Sequence, residues 1–224
     1  MKRLMSFAMP MIAAPAMAQQ QDGQLWLQVN TNVPVTERVR VTLEQIARLG
    51  DRAGGLYQTE FGGLLGYKVA STVELGVGYR RVGAYRSAAR DEDRLRQQVV
   101  ATFGRVTTRV RVDERFAEGG GEVGFRVRPL VRYNHPLGGG WALFGSHESF
   151  LLPNSTAWGQ RAGYERMRNI AGVTVPLGRR VSADAGYLNQ YRFARGGARA
   201  QMDHAFTVQL TINLAAASRA KADD

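Results

Sequence analysis

The sequence predicts an all-β protein, an antiparallel transmembrane up-and-down β-barrel of about 10–12 strands. Apolar residues recur at every second position along most of the chain after residue 24, which is the period of a β-strand. Short and long connections alternate between these segments, as they do in outer-membrane barrels. An export signal precedes the first segment. The 26 glycines, eight tyrosines and nine phenylalanines suit strands joined by tight turns.

The N-terminal residues have the three parts of a cleavable secretory signal. Lys2 and Arg3 form a positive start, residues 4–13 an apolar core, and Ala16 and Ala18 the small residues before a cleavage site. The apolar core is too short to cross a bilayer as a helix. We therefore divide the chain into a signal peptide at 1–18, a barrel at 19–214 and a short polar tail at 215–224.

Eleven alternating segments follow the signal. In the first, Leu25, Leu27 and Val29 alternate with Trp26 and Gln28. The others cover residues 38–44, 57–68, 73–80, 95–103, 109–116, 125–133, 141–151, 168–175, 181–191 and 206–214. Bacterial single-chain barrels have an even number of strands. An odd count therefore suggests that one strand near an end of the chain has been split or missed.

The connections between the segments give the predicted barrel two different ends. Short turns are expected near residues 34–37, 70–71, 104–105, 136–140 and 176–179. Longer polar loops are expected near residues 50–54, 83–93, 117–121, 153–165 and 192–203. Aromatic residues of the outer face fall near both ends of the strands, as in an interfacial girdle. They are Tyr67, Phe103, Tyr133 and Trp141 by the turns, and Tyr79, Phe116 and Tyr187 by the loops.

Two local patterns and one rival fold stay open at this stage. Residues 42–45 resemble a capping box that opens a short helix, and Pro129 indicates a bulge within a strand. A soluble β-sandwich or a lipocalin-like barrel would also show alternation. The polar face of such a protein mixes Lys, Glu, Ser and Thr, whereas here it is dominated by Arg, which favours a packed interior.

The sequence resembles the domain of unknown function 2490 (DUF2490) family over nearly the whole chain that follows the signal. The strand from Arg109 to Phe116 is similar to an Arg-x-Arg-x-Glu-x-Arg strand of that family. Supporting similarities lie at Gly78–Arg80, Arg126–Arg128, Glu148–Phe150, Arg168–Gly172, Gly186–Gln190 and His204. The resemblance implies an outer-membrane barrel of a Gram-negative bacterium and implies no activity. Here the expected final strand, 206–214, is followed by ten further residues, a departure from the usual aromatic end.

The polar face of the strands supplies the candidate site. The formal net charge is +11, and the basic residues are mostly single arginines rather than Lys-rich blocks, which argues against nucleic acid as a partner. The predicted lumen residues are Arg109, Arg111, Asp113, Arg115, Arg126, Arg128, Arg132, Glu148 and Arg168. An arginine-lined lumen favours small anionic solutes. The alternative is a closed structural barrel whose interior is filled by salt bridges.

Membrane lipid and, during insertion, the barrel-assembly machinery are the other expected partners. We expect neither a cofactor nor a metal site, since the chain has no cysteine and only three histidines, which are scattered. We also expect no enzymatic activity. Some outer-membrane barrels are lipid hydrolases, and His147 and Ser149 share one side of a strand, as a base and its nucleophile would. The sequence identifies no third partner for them, so hydrolysis remains the lesser alternative.

The signal predicts cleavage between Ala18 and Gln19, because small residues stand at the first and third positions before that bond. N-terminal sequencing of protein from the membrane fraction measures this directly. A chain that still begins at Met1 and is found in the cytosol contradicts the export prediction.

Overall fold

The computed structural model describes residues 20–86 and 89–215, and every regular element in this part of the chain is a β-strand. The strands are β1 (Gln20–Pro34), β2 (Val39–Gly50), β3 (Gly55–Lys68), β4 (Val73–Ala84), β5 (Glu92–Phe103), β6 (Val106–Ala117), β7 (Val123–Gly138), β8 (Trp141–Leu152), β9 (Gly163–Pro176), β10 (Val181–Arg192) and β11 (Gln201–Asn213). The predicted signal, and the predicted tail beyond Ala215, lie outside the described residues. Within them, no helix is long and apolar enough to cross a membrane.

The strands close into a single barrel in chain order, with β1 next to β11. Each strand is antiparallel to its neighbours in the chain, whereas β1 and β11 run parallel, from Gln20 opposite Gln201 to Asn32 opposite Asn213. The predicted all-β up-and-down barrel is therefore confirmed. All eleven predicted segments are strands, so the suspicion of a split or missed strand was wrong. An odd number of alternating strands leaves the first and last pointing the same way, and closure then requires one parallel pair.

The two ends of the barrel differ. At one end, here called the turn end, the connections span residues 35–38, 69–72, 104–105, 139–140 and 177–180. At the other, the loop end, they span 51–54, 85–91, 118–122, 153–162 and 193–200. The alternation of short and long connections is confirmed except at 51–54, which is no longer than the turns.

Alternation along each strand separates an inner from an outer face. Trp26, Leu64, Phe144, Phe150 and Leu188 are buried inside. The outer face exposes large apolar side chains, among them Leu27, Phe61, Leu65, Val77, Leu95, Val99, Val110, Val131, Leu143 and Phe206. All seven aromatics predicted for the two girdles are also exposed on this face. An apolar surface that surrounds a barrel is compatible with a membrane location.

Two local expectations were wrong. Residues 42–45 belong to β2 and form no helix. The strand alternation runs through them, since Glu44 and Ile46 are both buried on the inner face. Pro129 causes no bulge, since β6 and β7 stay in register through it. A register shift between β2 and β3 occurs instead at Tyr57. At that bulge the Tyr57 side chain points into the lumen, where its hydroxyl donates a hydrogen bond to Gln24 Oε1 at 2.8 Å.

Glycines on the inner face let two strands approach closely. Gly172 of β9 and Gly186 of β10 are direct cross-strand partners. A Cβ atom at Gly172 would lie 2.3 Å from the carbonyl oxygen of Ala185, and one at Gly186 would lie 2.6 Å from that of Ala171. Neither position tolerates a side chain without movement of the backbone, so glycine is required at this crossing of β9 and β10.

The outer face predicts a penalty for charge placed on it. Val110 is central on β6 and its side chain is exposed. Val110→Arg should therefore lower the free energy of unfolding in lipid by about 2–4 kcal/mol, and Leu210→Arg should lower it less if it lies nearer the bilayer surface. Val35→Arg, at an exposed turn, is the control and should have little effect. Denaturant titration in vesicles measures all three. Equal stability of the Val110 and Val35 variants, or a soluble monomer without detergent, contradicts the prediction.

Candidate functional site

A cavity of about 760 Å³ occupies the interior of the barrel, and all eleven strands contribute to its wall. Fourteen arginines line it, against six acidic residues. The arginines are Arg48, Arg52, Arg80, Arg86, Arg94, Arg109, Arg111, Arg115, Arg126, Arg128, Arg132, Arg166, Arg168 and Arg192, and the acids are Asp22, Glu44, Glu60, Glu92, Glu148 and Glu165. This set includes every predicted lumen residue except Asp113, which is fully buried in the same wall.

Two carboxylates organise the wall formed by β6, β7 and β8. Asp113 lies opposite Arg126 across the β6–β7 ladder and forms an ion pair with it at 2.6 Å. The same carboxylate oxygen lies 3.4 Å from the guanidinium group of Arg128. Glu148 of β8 is 2.9 Å from Arg128 and 2.5 Å from Arg109, and 3.4 Å from Arg168 of β9. Each carboxylate thus binds more than one guanidinium group, which offsets the cost of burying these charges.

A second cluster lies on β2 to β5. Glu44 binds Arg80 at 2.7 Å and Arg96 at 2.5 Å, and Glu60 binds Arg48 at 2.8 Å and Arg80 at 2.5 Å. The candidate list from the sequence left out this cluster. It also left out Glu92, Arg94, Glu165 and Arg166, because the predicted segments began after them. Extending the alternation from Arg96 and Arg168 toward the loop end would have found Glu92, Arg94 and Arg166. Glu165 would still have been missed, because it is the extra residue at a register shift between β8 and β9.

Arg111 differs from its neighbours because it has no carboxylate partner among the described residues. Its side chain donates to Oε1 of Gln98 from Nε at 2.9 Å and from Nη2 at 2.6 Å. The residue is only 5% exposed and lines the cavity. Arg128 lies directly opposite it on β7. A buried guanidinium group without a counter-charge is costly, so an anion in the cavity would be bound favourably here.

Aromatic rings fill the space between the arginines. The Phe150 ring lies within 4.7–5.7 Å of the guanidinium carbons of Arg126, Arg128, Arg166 and Arg168. The Trp26 ring lies 4.0 Å from the guanidinium carbon of Arg48 and 4.6 Å from the guanidinium carbon of Arg168. The contact with Arg168 joins β1 to β9 across the interior. These cation–π contacts order the guanidinium groups without neutralising them.

The loop of residues 153–162 folds onto the charged wall at the loop end. Gln160 is buried and accepts from Arg115 at 2.8 Å, while its amide donates to the main chain of Phe125 at 3.1 Å. The Trp158 ring lies 5.1 Å from the Arg115 guanidinium carbon. At the other end, Arg132 is held by Asp184 at 2.8 Å. The lumen arginines are therefore anchored at both rims.

The outer face of β8 and β9 carries a different group of residues. His147 and Asn169 are direct cross-strand partners, and His147 Nδ1 lies 2.8 Å from Asn169 Oδ1. His147 Nε2 lies 3.0 Å from Ser149 Oγ, which is 3.0 Å from the Tyr164 hydroxyl. The third partner that the sequence did not identify is thus Asn169. No local pattern signals it, since twenty-two positions separate it from His147.

Asn169 also belongs to a polar row on the outer face, which consists of His147, Asn169, Asn189 and His204. Each member is the direct cross-strand partner of the next, from β8 to β11. His204 Nδ1 bonds the Tyr187 hydroxyl at 2.5 Å. The described residues contain no group of three or more His, Cys, Asp or Glu arranged to hold a metal ion.

Comparisons with known proteins show which family the chain belongs to. An uncharacterized protein of Methylorubrum extorquens is 32% identical over 223 residues, which covers 94% of this chain and 97% of that protein. A solved chain from work on the in-meso crystallization of membrane proteins is 12% identical, covers 80% of this chain and 86% of its own length, and gives a TM-score of 0.42, too low to support a shared fold. The family model described as "Protein of unknown function (DUF2490)" matches residues 23–201. The chain therefore belongs to the DUF2490 family, as its motifs predicted.

Proposed function

We propose that this protein is an outer-membrane barrel of a Gram-negative bacterium and that its lumen is a channel or binding site for small anionic solutes. The apolar outer face and the girdle aromatics support the membrane location. The unequal lengths of the connections support an orientation with the turns in the periplasm and the loops outside. Insertion would then depend on the barrel-assembly machinery.

The observation that carries the lumen proposal is Arg111, a buried guanidinium group whose hydrogen bonds end on a neutral amide. Around it, arginines outnumber acidic residues along the cavity wall. Positive charge that the protein itself does not neutralise attracts anions and repels cations. A cavity of about 760 Å³ is in the range of small-molecule sites.

The alternative function is that of a closed structural barrel. It is favoured by the shared carboxylates Asp113 and Glu148 and by the Phe150 ring, which together tie β6 to β9 across the interior. Such a network fills space and resists opening. The two functions differ in what happens when one guanidinium group is removed, and Arg111 and Arg128 offer a matched pair for this comparison.

Arg111→Gln removes a charge without breaking an ion pair, whereas Arg128→Gln leaves Asp113 and Glu148 each with one partner fewer. We expect the Arg111 variant to shift the reversal potential toward cations at nearly unchanged stability. The Arg128 variant should lose about 1–3 kcal/mol of unfolding free energy. Planar-bilayer conductance in a KCl gradient and denaturant unfolding measure the two effects.

Citrate serves as the anion probe if conductance is small. It should raise the midpoint of thermal unfolding of the parent protein, and raise it less in the Arg111 variant. A parent protein that neither conducts nor responds to citrate is a closed barrel, and the lumen proposal is then wrong. Conductance without anion preference would also contradict it.

A further inference from the structure

We propose that the outer face of β8 and β9 is a hydrolase site for acyl esters of membrane lipids, with Ser149 as nucleophile, His147 as general base and Asn169 as the group that orients the base. The proposal rests on the membrane location proposed above and is independent of the lumen. It goes beyond a pore or a structural barrel, because it assigns a chemical step to the surface that contacts lipid.

The geometry of the three side chains is that of a catalytic triad. In the tautomer protonated at Nδ1, His147 donates a hydrogen bond to Asn169 Oδ1 at 2.8 Å, and the unprotonated Nε2 faces Ser149 Oγ at 3.0 Å. An amide in place of a carboxylate as third member has precedent among nucleophilic hydrolases. The two residues on β8 are separated by Glu148, which points inward, so the pair shares the outer side of one strand.

The position of the triad suits a lipid ester. Ser149 lies three residues before the loop end of β8, and Tyr164 opens β9 at the same end. Ester bonds of membrane lipids lie between the headgroups and the hydrocarbon, which is the depth expected for residues near the end of a membrane-spanning strand. Val131, opposite His147 on β7, and Leu151, two residues after Ser149, are exposed beside the site and offer an apolar surface for the acyl chain. Polar groups on a lipid-facing surface carry a free-energy cost, which a functional role would explain.

One side chain can stabilise the oxyanion. The Tyr164 hydroxyl, 3.0 Å from Ser149 Oγ, is a donor beside the attacking atom. The β7–β8 ladder is also interrupted here, since it pairs Val127 with Leu151 and Leu130 with Glu148 but nothing between. Ser149 lies opposite Pro129 in this register, and Pro129 has no amide hydrogen, so the oxyanion donor is the Tyr164 hydroxyl. Donors beside the nucleophile are what ester cleavage requires.

The reaction balances without a cofactor. Ser149 Oγ attacks the ester carbonyl carbon while its proton passes to His147 Nε2. The tetrahedral intermediate collapses, the bond to the alcohol oxygen breaks, and His147 returns the proton to that oxygen, which leaves as the lysolipid. Water then loses a proton to His147 and attacks the acyl-serine, and the fatty acid departs as Ser149 regains its proton.

The full-length protein, refolded in detergent or in phospholipid vesicles, provides the test. We expect release of fatty acid together with lysolipid, and covalent labelling of one serine by a fluorophosphonate. Ser149→Ala and His147→Ala should each lower the rate at least about 10³-fold, and Ser149→Ala should abolish labelling. Ser182→Ala, at the turn end of β10, is the matched control and should change neither.

Asn169 and Tyr164 are tested by graded variants. Asn169→Ala should lower the rate and Asn169→Asp should restore much of it, since a carboxylate also orients the imidazole. Tyr164→Phe should lower the turnover number more than it changes KM. Adding lipopolysaccharide to the vesicles identifies which lipid is the substrate. Hydrolysis of lipopolysaccharide releases its 3-hydroxy or secondary acyl chains, whereas hydrolysis of phospholipid releases the fatty acids of the phospholipid.

A heat-modifiable band on gels shows that each variant has folded. If the folded parent protein neither releases fatty acid from either lipid nor labels with the fluorophosphonate, the hydrolase proposal is wrong. This result would leave the lumen proposal standing, since conductance and citrate binding do not depend on Ser149. Conversely, a closed lumen would leave lipid hydrolysis unaffected. A protein that is soluble and folded without detergent would overturn both.

Discussion

Pairing of guanidinium groups with carboxylates inside the barrel is the interaction on which the rest of the structure depends. The inner face of the strands is polar and largely buried, and unpaired charges there would be too costly to fold around. Glu44, Glu60, Asp113 and Glu148 each bind at least two arginines, so few carboxylates hold many guanidinium groups. The charged residues are thus gathered on the inner face, and the outer face is apolar. Arg111, which bonds only Gln98, is the group that an anionic solute would bind under the proposed lumen function.

The odd number of strands is the second constraint on the architecture. Eleven strands that alternate in direction put the start of β1 at the loop end and the end of β11 at the turn end, so the chain leaves the barrel at opposite ends. The parallel β1–β11 ladder closes the sheet and leaves no exposed edge among the described strands.

The sheet separates two chemistries that are adjacent in sequence. His147, Glu148 and Ser149 are consecutive, yet Glu148 lies inside among arginines while its neighbours lie outside beside Asn169. The strand period of two allows one segment to serve both sides of the wall. Any lumen function and any reaction on the outer face can therefore change independently, because the hydrogen-bonded sheet lies between them.

Much of this was determined by the sequence alone. The period of two in the sequence determined the fold class and all eleven strands. It also determined the inner face of the arginines from Arg109 to Arg115 and the shared outer side of His147 and Ser149, because side-chain direction along a strand is a local property. The sequence could not fix the β1–β11 pairing, the bulge at Tyr57 or the partners of individual arginines. Only the tertiary structure decided that Arg111 lacks a carboxylate and that Asn169 reaches His147, since cross-strand register depends on how distant segments align around the closed barrel.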